Sequence, residues 1–237
     1  MAVFIDYFFI MINRYLILLI SDIKIIVRAP VLLSAVLSPF LLTIIILIVS
    51  SLIPGLYYSL AALTLIAGTP IIYGLVFSAA GLNSHPDVHS APKSETLLLL
   101  RERIAYSSVT CFAVLIPVIF LTDAVPGEGW IRSIFASVLF SALAPLVFLL
   151  SACLATGTKK VIIQVLFCIL LLITVPVGLL LHHPLNYFAF YSPLYWAVWA
   201  WAIGSPSESL MYGSISLGLS SAGIFLLYRY SCRRKLK

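Results

Sequence analysis

Six stretches of the chain, at 31–53, 56–80, 104–122, 133–155, 161–181 and 210–228, contain no Asp, Glu, Lys, Arg or His. Each is close to the roughly 20 residues that cross a bilayer as a helix. A backbone in hydrocarbon has no water to bond to, so runs of this kind read as transmembrane helices. The composition points the same way. Of 237 residues 62% are hydrophobic and only 9% charged, whereas a soluble domain carries about a quarter. The expected fold is therefore an all-α integral membrane protein. Turn residues separate several of the runs: Pro54-Gly55, DAVPGEGW at 123–130 and TGTKK at 156–160.

The segment before the first run has a different pattern. On a helical wheel Asp6, Asn13, Arg14, Ser21, Lys24 and Arg28 fall within an arc of about 100°, in a segment otherwise rich in Phe, Ile and Leu. Residues 1–30 are expected to form an amphipathic helix in the headgroup plane, ahead of a transmembrane domain of six spans over 31–237. Burying Asp6 and Arg14 in a span would cost roughly 3 kcal/mol each, which disfavours a transmembrane alternative for 3–20. Asp22 falls off the polar stripe, which predicts a bend near Ser21-Asp22. Asp6 inside the first apolar run, without a small-residue cleavage site, argues against a removable signal peptide.

All but one of the 14 lysines and arginines lie in the N-terminal segment, the loop at 81–103, Lys159-Lys160 and the tail. Arg132 is the exception. By the positive-inside rule both termini and the 81–103 loop are expected in the cytoplasm. A seventh span within 182–209 would put the basic tail outside. That segment is therefore expected to be an external re-entrant or interfacial hairpin broken at Ser192-Pro193, with Tyr187, Tyr191, Tyr195, Trp196, Trp199 and Trp201 at headgroup depth. The net charge of +6 is explained by this topology, and no nucleic-acid partner is expected.

The 81–103 loop (GLNSHPDVHSAPKSETLLLLRER) is the longest polar break and carries Lys93, Arg101 and Arg103 with Asp87, Glu95 and Glu102. After Pro92, Ser94 as N-cap and Glu95 in the first turn predict a short helix that begins in water and ends at the membrane. His85 and His89 have helical metal-ligand spacing, but Pro86 and its turn-forming neighbours favour a solvated loop, so no metal site is expected. His182-His183 reads as interfacial. The scattered Cys111, Cys153, Cys168 and Cys232 report neither a disulfide framework nor a metal site. Charge-free spans disfavour an ion-coupled carrier. No phosphate-loop or hydrolase motif occurs, so no catalytic residue is expected and any transport energy would come from another polypeptide. Pro39, Pro70, Pro117, Pro145 and Pro176 each fall inside a run, which predicts bent helices. The last run is rich in small residues, which predicts a packing helix.

The succession SDIKIIVRAPVLLSAVLSPFLLTIIILI (21–48), TPIIYGLVFSAAGL (69–82), APLVFLLSACLATGTKK (144–160) and YSPLYWAVWAWAIG (191–204) resembles the ABC-2-type transporter permeases. The resemblance implies a multi-pass cytoplasmic-membrane exporter subunit of six spans. It would pair with a cytoplasmic ATP-binding-cassette ATPase and a second permease copy, among membrane lipid. ATP and Mg would be bound by the partner, with no cofactor in this chain. It also places Asp22, Lys24, Arg28 and Pro30 in the interfacial connecting helix. Ser94, Glu95, Thr96, Arg101, Glu102 and Arg103 fall in the ATPase-coupling region. Where many members continue into an acidic Glu-Glu-Arg-like run, this chain has GLNSHPDVHSAPKSE. The apolar, aromatic spans point to an amphiphilic substrate such as a drug, peptide or lipid-linked molecule. A haem-export permease of cytochrome maturation is the alternative within the class; outside it stand a stand-alone carrier, an immunity protein, or an intramembrane enzyme acting on lipids or peptides.

Overall fold

The computed structural model describes residues 2–52, 58–84, 93–122, 129–153, 190–202 and 205–235. These residues are almost entirely helical, with no strand among them. In chain order the helices are α1 (Ala2–Arg28), α2 (Pro30–Leu52), α3 (Tyr58–Ser84), α4 (Lys93–Thr122), α5 (Gly129–Ser141), α6 (Ala144–Cys153), α7 (Pro193–Ala202) and α8 (Pro206–Lys235). Proline opens α2, α7 and α8, where its missing N–H has no intrahelical partner to lose.

Four helical segments among the described residues are long and apolar enough to cross a membrane: Pro30–Val49, Leu100–Leu121, Ser133–Ser151 and Pro206–Tyr230. The chain is a membrane-spanning protein. Its second expected run corresponds to α3, whose described apolar core is the shorter Leu65–Ala79. The expected run at 161–181 lies outside the described residues, with Lys159-Lys160, Pro176 and His182-His183.

α3 is the centre of the bundle. Ala62, Ile66, Ala67, Thr69, Ile71, Tyr73, Val76 and Phe77 are all buried, because α1, α2, α4 and α6 pack around it. A helix apolar on every side is stable only when surrounded in this way. It approaches α6 closely at Gly74. A Cβ there would stand 2.7 Å from the Ala144 carbonyl oxygen and 2.8 Å from the Val147 Cβ. One turn further along, the Ser151 hydroxyl donates to Ser78 Oγ at 2.7 Å. Small residues permit this approach, and the paired hydroxyls remove a polar cost that hydrocarbon would impose.

The expected proline bends take different forms. Pro39, Pro70 and Pro117 sit within continuous helices. Pro39 cannot donate to the Ala35 carbonyl, and the Ser38 hydroxyl does so at 2.8 Å instead. Pro145 interrupts the helix: α5 ends at Ser141, a turn covers Ala142 and Leu143, and α6 begins at Ala144.

Cross-contacts fix the helix directions. Gly74 lies on Ala144 and Val147, and Ser78 on Ser151, so α3 and α6 run parallel. Gly213 meets Phe135 and Gly223 meets Leu146, so α8 runs with α5 and α6. The Tyr73 hydroxyl donates to the Val36 carbonyl, and the rings of Phe77 and Tyr106 meet; with Leu52 only six positions before Tyr58 and Ser84 nine before Lys93, the chain can return to these contacts only if α2 and α4 run the opposite way to α3. One end of the bundle therefore collects the end of α1, the starts of α2 and α4, and the end of α8. It carries Lys24, Arg28, Arg101, Arg103 and Arg229, while Arg132 near the start of α5 lies at the other end.

α7 has 10 residues, about 15 Å of helix, too short to cross the hydrocarbon. It folds back on the first turns of α8, where the Ser209 hydroxyl donates to the Ala200 carbonyl and the Ser216 hydroxyl to that of Pro193 at 2.8 Å. Phe190, Tyr195, Trp196, Trp199 and Tyr212 form a contiguous ring cluster. Tyr195 and Trp201 turn inward and are buried, whereas Tyr191 is exposed. The aromatics expected at headgroup depth are thus split between bundle packing and surface; Tyr187 lies outside the described residues.

Candidate functional site

α1 has three faces. Tyr15, Leu18, Leu19, Asp22, Ile25 and Ile26 turn toward the bundle, Leu16, Ile20, Ile23 and Val27 form an exposed apolar row, and Asn13, Arg14, Lys24 and Arg28 form an exposed polar row into which the apolar Ile17 also falls. This is the pattern of a helix at an interface between protein, acyl chain and water. It also explains Asp22. The helix continues through Ser21-Asp22 to Arg28, and Asp22 leaves the polar stripe because it points inward.

Its partner is Arg103. The guanidinium donates from Nη1 to Asp22 Oδ2 at 3.0 Å and from Nη2 to Oδ1 at 3.2 Å. The Asp22 side chain is 0% exposed and that of Arg103 7%. The planar guanidinium fork matches both carboxylate oxygens, so each charge is met by hydrogen bonds as well as by its counter-charge. Nearer the surface, Arg14 Nη1 donates to Glu102 Oε1 at 2.8 Å, with side-chain exposures of 53% and 23%. That pair is solvent-screened and contributes at most about 1 kcal/mol.

The ion pairs adjoin a packed aromatic chain. The ring of Tyr15 lies 5.1 Å from that of Tyr106, and its hydroxyl shares a 3.1 Å hydrogen bond with Thr110 Oγ1. Tyr106 meets Phe77 edge-on at 4.8 Å, and Phe77 meets Tyr73 at 5.8 Å. Tyr73 then donates to the Val36 carbonyl at 3.1 Å. A contiguous set of contacts thus runs from α1 through α4 and α3 to α2.

α4 is one helix of 30 residues, about 45 Å, where the sequence predicts a short helix followed by a separate span. Its first turn holds Ser94, Glu95 and Thr96, of which only the backbone is described, and the helix opens at Lys93, one residue before the expected cap. Arg101 is exposed, Glu102 is half-buried on Arg14, and Arg103 is buried on Asp22. Three successive residues on a helix are about 100° apart, so the Arg-Glu-Arg run cannot present one common surface. Of the interfacial set, Lys24 and Arg28 are exposed, Asp22 is buried and Pro30 begins α2.

Tyr15, Tyr106, Thr110 and Phe77 were not singled out by the sequence patterns. The one available signal was Asp22 itself: an acid off the polar stripe of an amphipathic helix requires an inward cation. His85, Asp87 and His89 lie outside the described residues. Cys111 is buried and unbonded to another cysteine. Searches for a matching family model, a curated relative and a similar solved structure find none.

Proposed function

We propose that this chain is the permease subunit of an ATP-driven exporter of the ABC-2 type. It would have six spans and cytoplasmic termini in the cytoplasmic membrane, and would draw its energy from a separate ATPase. The observation that carries the proposal is the Asp22–Arg103 pair, which joins an interfacial helix to the base of α4. α4 in turn starts in the polar loop and continues unbroken into the core. A push on the first turn of α4, around Ser94 to Thr96, is delivered along uninterrupted helix to Tyr106 and Cys111, buried in the core ahead of Pro117. Because Arg103 is ion-paired in a nearly dry site, α1 moves with that helix. The aromatic chain passes the displacement to α3 and α2.

In this reading, closure of an ATPase dimer on the loop shifts the bundle between two access states, and ATP hydrolysis resets it. A second permease copy completes the pathway for an amphiphilic substrate. The chain supplies no catalytic group. The charged residues of the segments Leu100–Leu121 and Pro206–Tyr230 sit at their ends, and the apolar stretches between them suit this division of labour, since they offer no ionisable residue to bind and release a coupling ion.

The test uses the permease purified with its ATPase in lipid nanodiscs. The Glu95→Ala/Glu102→Ala variant should keep its thermal midpoint within a few degrees and lose the permease-dependent part of ATP hydrolysis. Unchanged hydrolysis in a complex of normal stability would remove the start of α4 as the contact point.

A further inference from the structure

α1 has a feature that energy coupling does not use. Ile17, Ile20, Ser21, Lys24 and Ile25 line an open groove of about 410 Å³ on its surface. The groove starts at Ile20, which belongs to the exposed apolar row with Leu16, Ile23 and Val27. It then passes Ile17 and Lys24 on the polar row, where Ile17 carries the apolar surface past the cation, and reaches the bundle side at Ser21 and Ile25. Ile17 and Ile20 are 60% and 52% exposed. A cation therefore stands directly at the border between an acyl-compatible row and a water-facing row, one helical turn from Ile20. Arg28, one turn further on and also exposed, extends the positive charge along the same polar face. The third cation of that face is engaged elsewhere, because Arg14 bonds Glu102.

We propose that this groove is a binding site for one anionic phospholipid. An acyl chain would lie along Ile17 and Ile20, and the phosphate would rest on Lys24 with Arg28 beside it. The charge selects the ligand. An apolar groove alone would accept any lipid, but two neighbouring cations at headgroup depth favour a net-negative headgroup by about fivefold each. The apolar lining separates a lipid from a free anion, since inorganic phosphate gains nothing from Ile17, Ile20 and Ile25. A lipid seated there would hold α1 at a fixed depth. The inference goes beyond the exporter proposal and requires no ATPase.

Native mass spectrometry of the full chain in mild detergent tests it, using phosphatidylglycerol and phosphatidylcholine with identical acyl chains. The wild-type protein should retain phosphatidylglycerol in preference, and Lys24→Gln should lower that retention by roughly fivefold. Lys24→Gln/Arg28→Gln should bring it to the phosphatidylcholine level. Arg229→Gln, an exposed cation on α8 at the same end of the bundle, should change nothing. Excess inorganic phosphate should not displace the lipid. Equal retention of the two lipids, an equal loss in Arg229→Gln, or displacement by phosphate would each overturn the proposal. The three variants change exposed side chains, and a normal thermal midpoint in each excludes misfolding as the cause.

Discussion

Replacing Asp22 by Asn keeps the shape of the side chain and removes its charge, leaving the Arg103 guanidinium at 7% exposure without a full counter-ion. Breaking a buried pair from one side in this way costs about 3–5 kcal/mol. For a chain of this size each kcal/mol moves the thermal midpoint by about 2–4 °C, so the expected loss is roughly 6–20 °C. Arg103→Met should fall in the same range, since it takes the counter-charge away from a carboxylate at 0% exposure. The combined Asp22→Leu/Arg103→Met variant removes both charges and leaves an apolar contact of similar volume. It should lie within about 1 kcal/mol of wild type, because a buried pair and a packed apolar pair are close in free energy. The assay is thermal unfolding in detergent, read by size-exclusion chromatography after heating, for all four proteins of the cycle. Single variants within about 2 °C of wild type, or a double variant that loses the sum of the singles, would refute the assignment of Asp22 and Arg103 as a coupled, desolvated pair.

Other contacts give predictions of graded size. Gly74→Ala should destabilise by about 1–3 kcal/mol, because the new methyl meets the Ala144 backbone carbonyl at 2.7 Å and neither helix can yield cheaply. Gly218→Ala, on the same assay, should be neutral or mildly stabilising, since nothing lies within 4 Å of its Cβ position. Glu102→Gln should cost at most about 1 kcal/mol and lose its effect at high salt, as expected for a half-exposed pair. Tyr15→Phe should cost about 1 kcal/mol through the lost bond to Thr110, with the ring packing on Tyr106 retained.

The sequence exposes some of this architecture and hides the rest for physical reasons. Apolar runs of membrane length identify α2, the upper part of α4, the α5–α6 segment and α8, because burial in hydrocarbon demands uninterrupted apolarity. The spacing of Arg14, Ser21, Lys24 and Arg28 by seven, three and four residues reveals the polar face of α1. It cannot reveal that Asp22 meets Arg103, since the two are 81 positions apart and only packing brings them together. The break before Pro145 and the continuity of α4 were equally out of reach. Proline marks a lost hydrogen bond at Pro39 and Pro145 alike, and only the neighbours decide whether the helix survives it. In α8 composition predicts close packing, but not its direction. Gly213, Ser216, Ser220 and Gly223 turn toward the bundle, while Ser214, Gly218, Ser221 and Ala222 face outward.

The exporter proposal is tested most directly by purifying the tagged chain in mild detergent, with and without cross-linking, and identifying co-purifying soluble proteins by mass spectrometry. The account predicts an ATPase with a phosphate loop, in about one copy per permease, whose recovery falls when Glu95 and Glu102 are replaced by Ala. A stable, folded preparation that recovers no such ATPase even under cross-linking would contradict it.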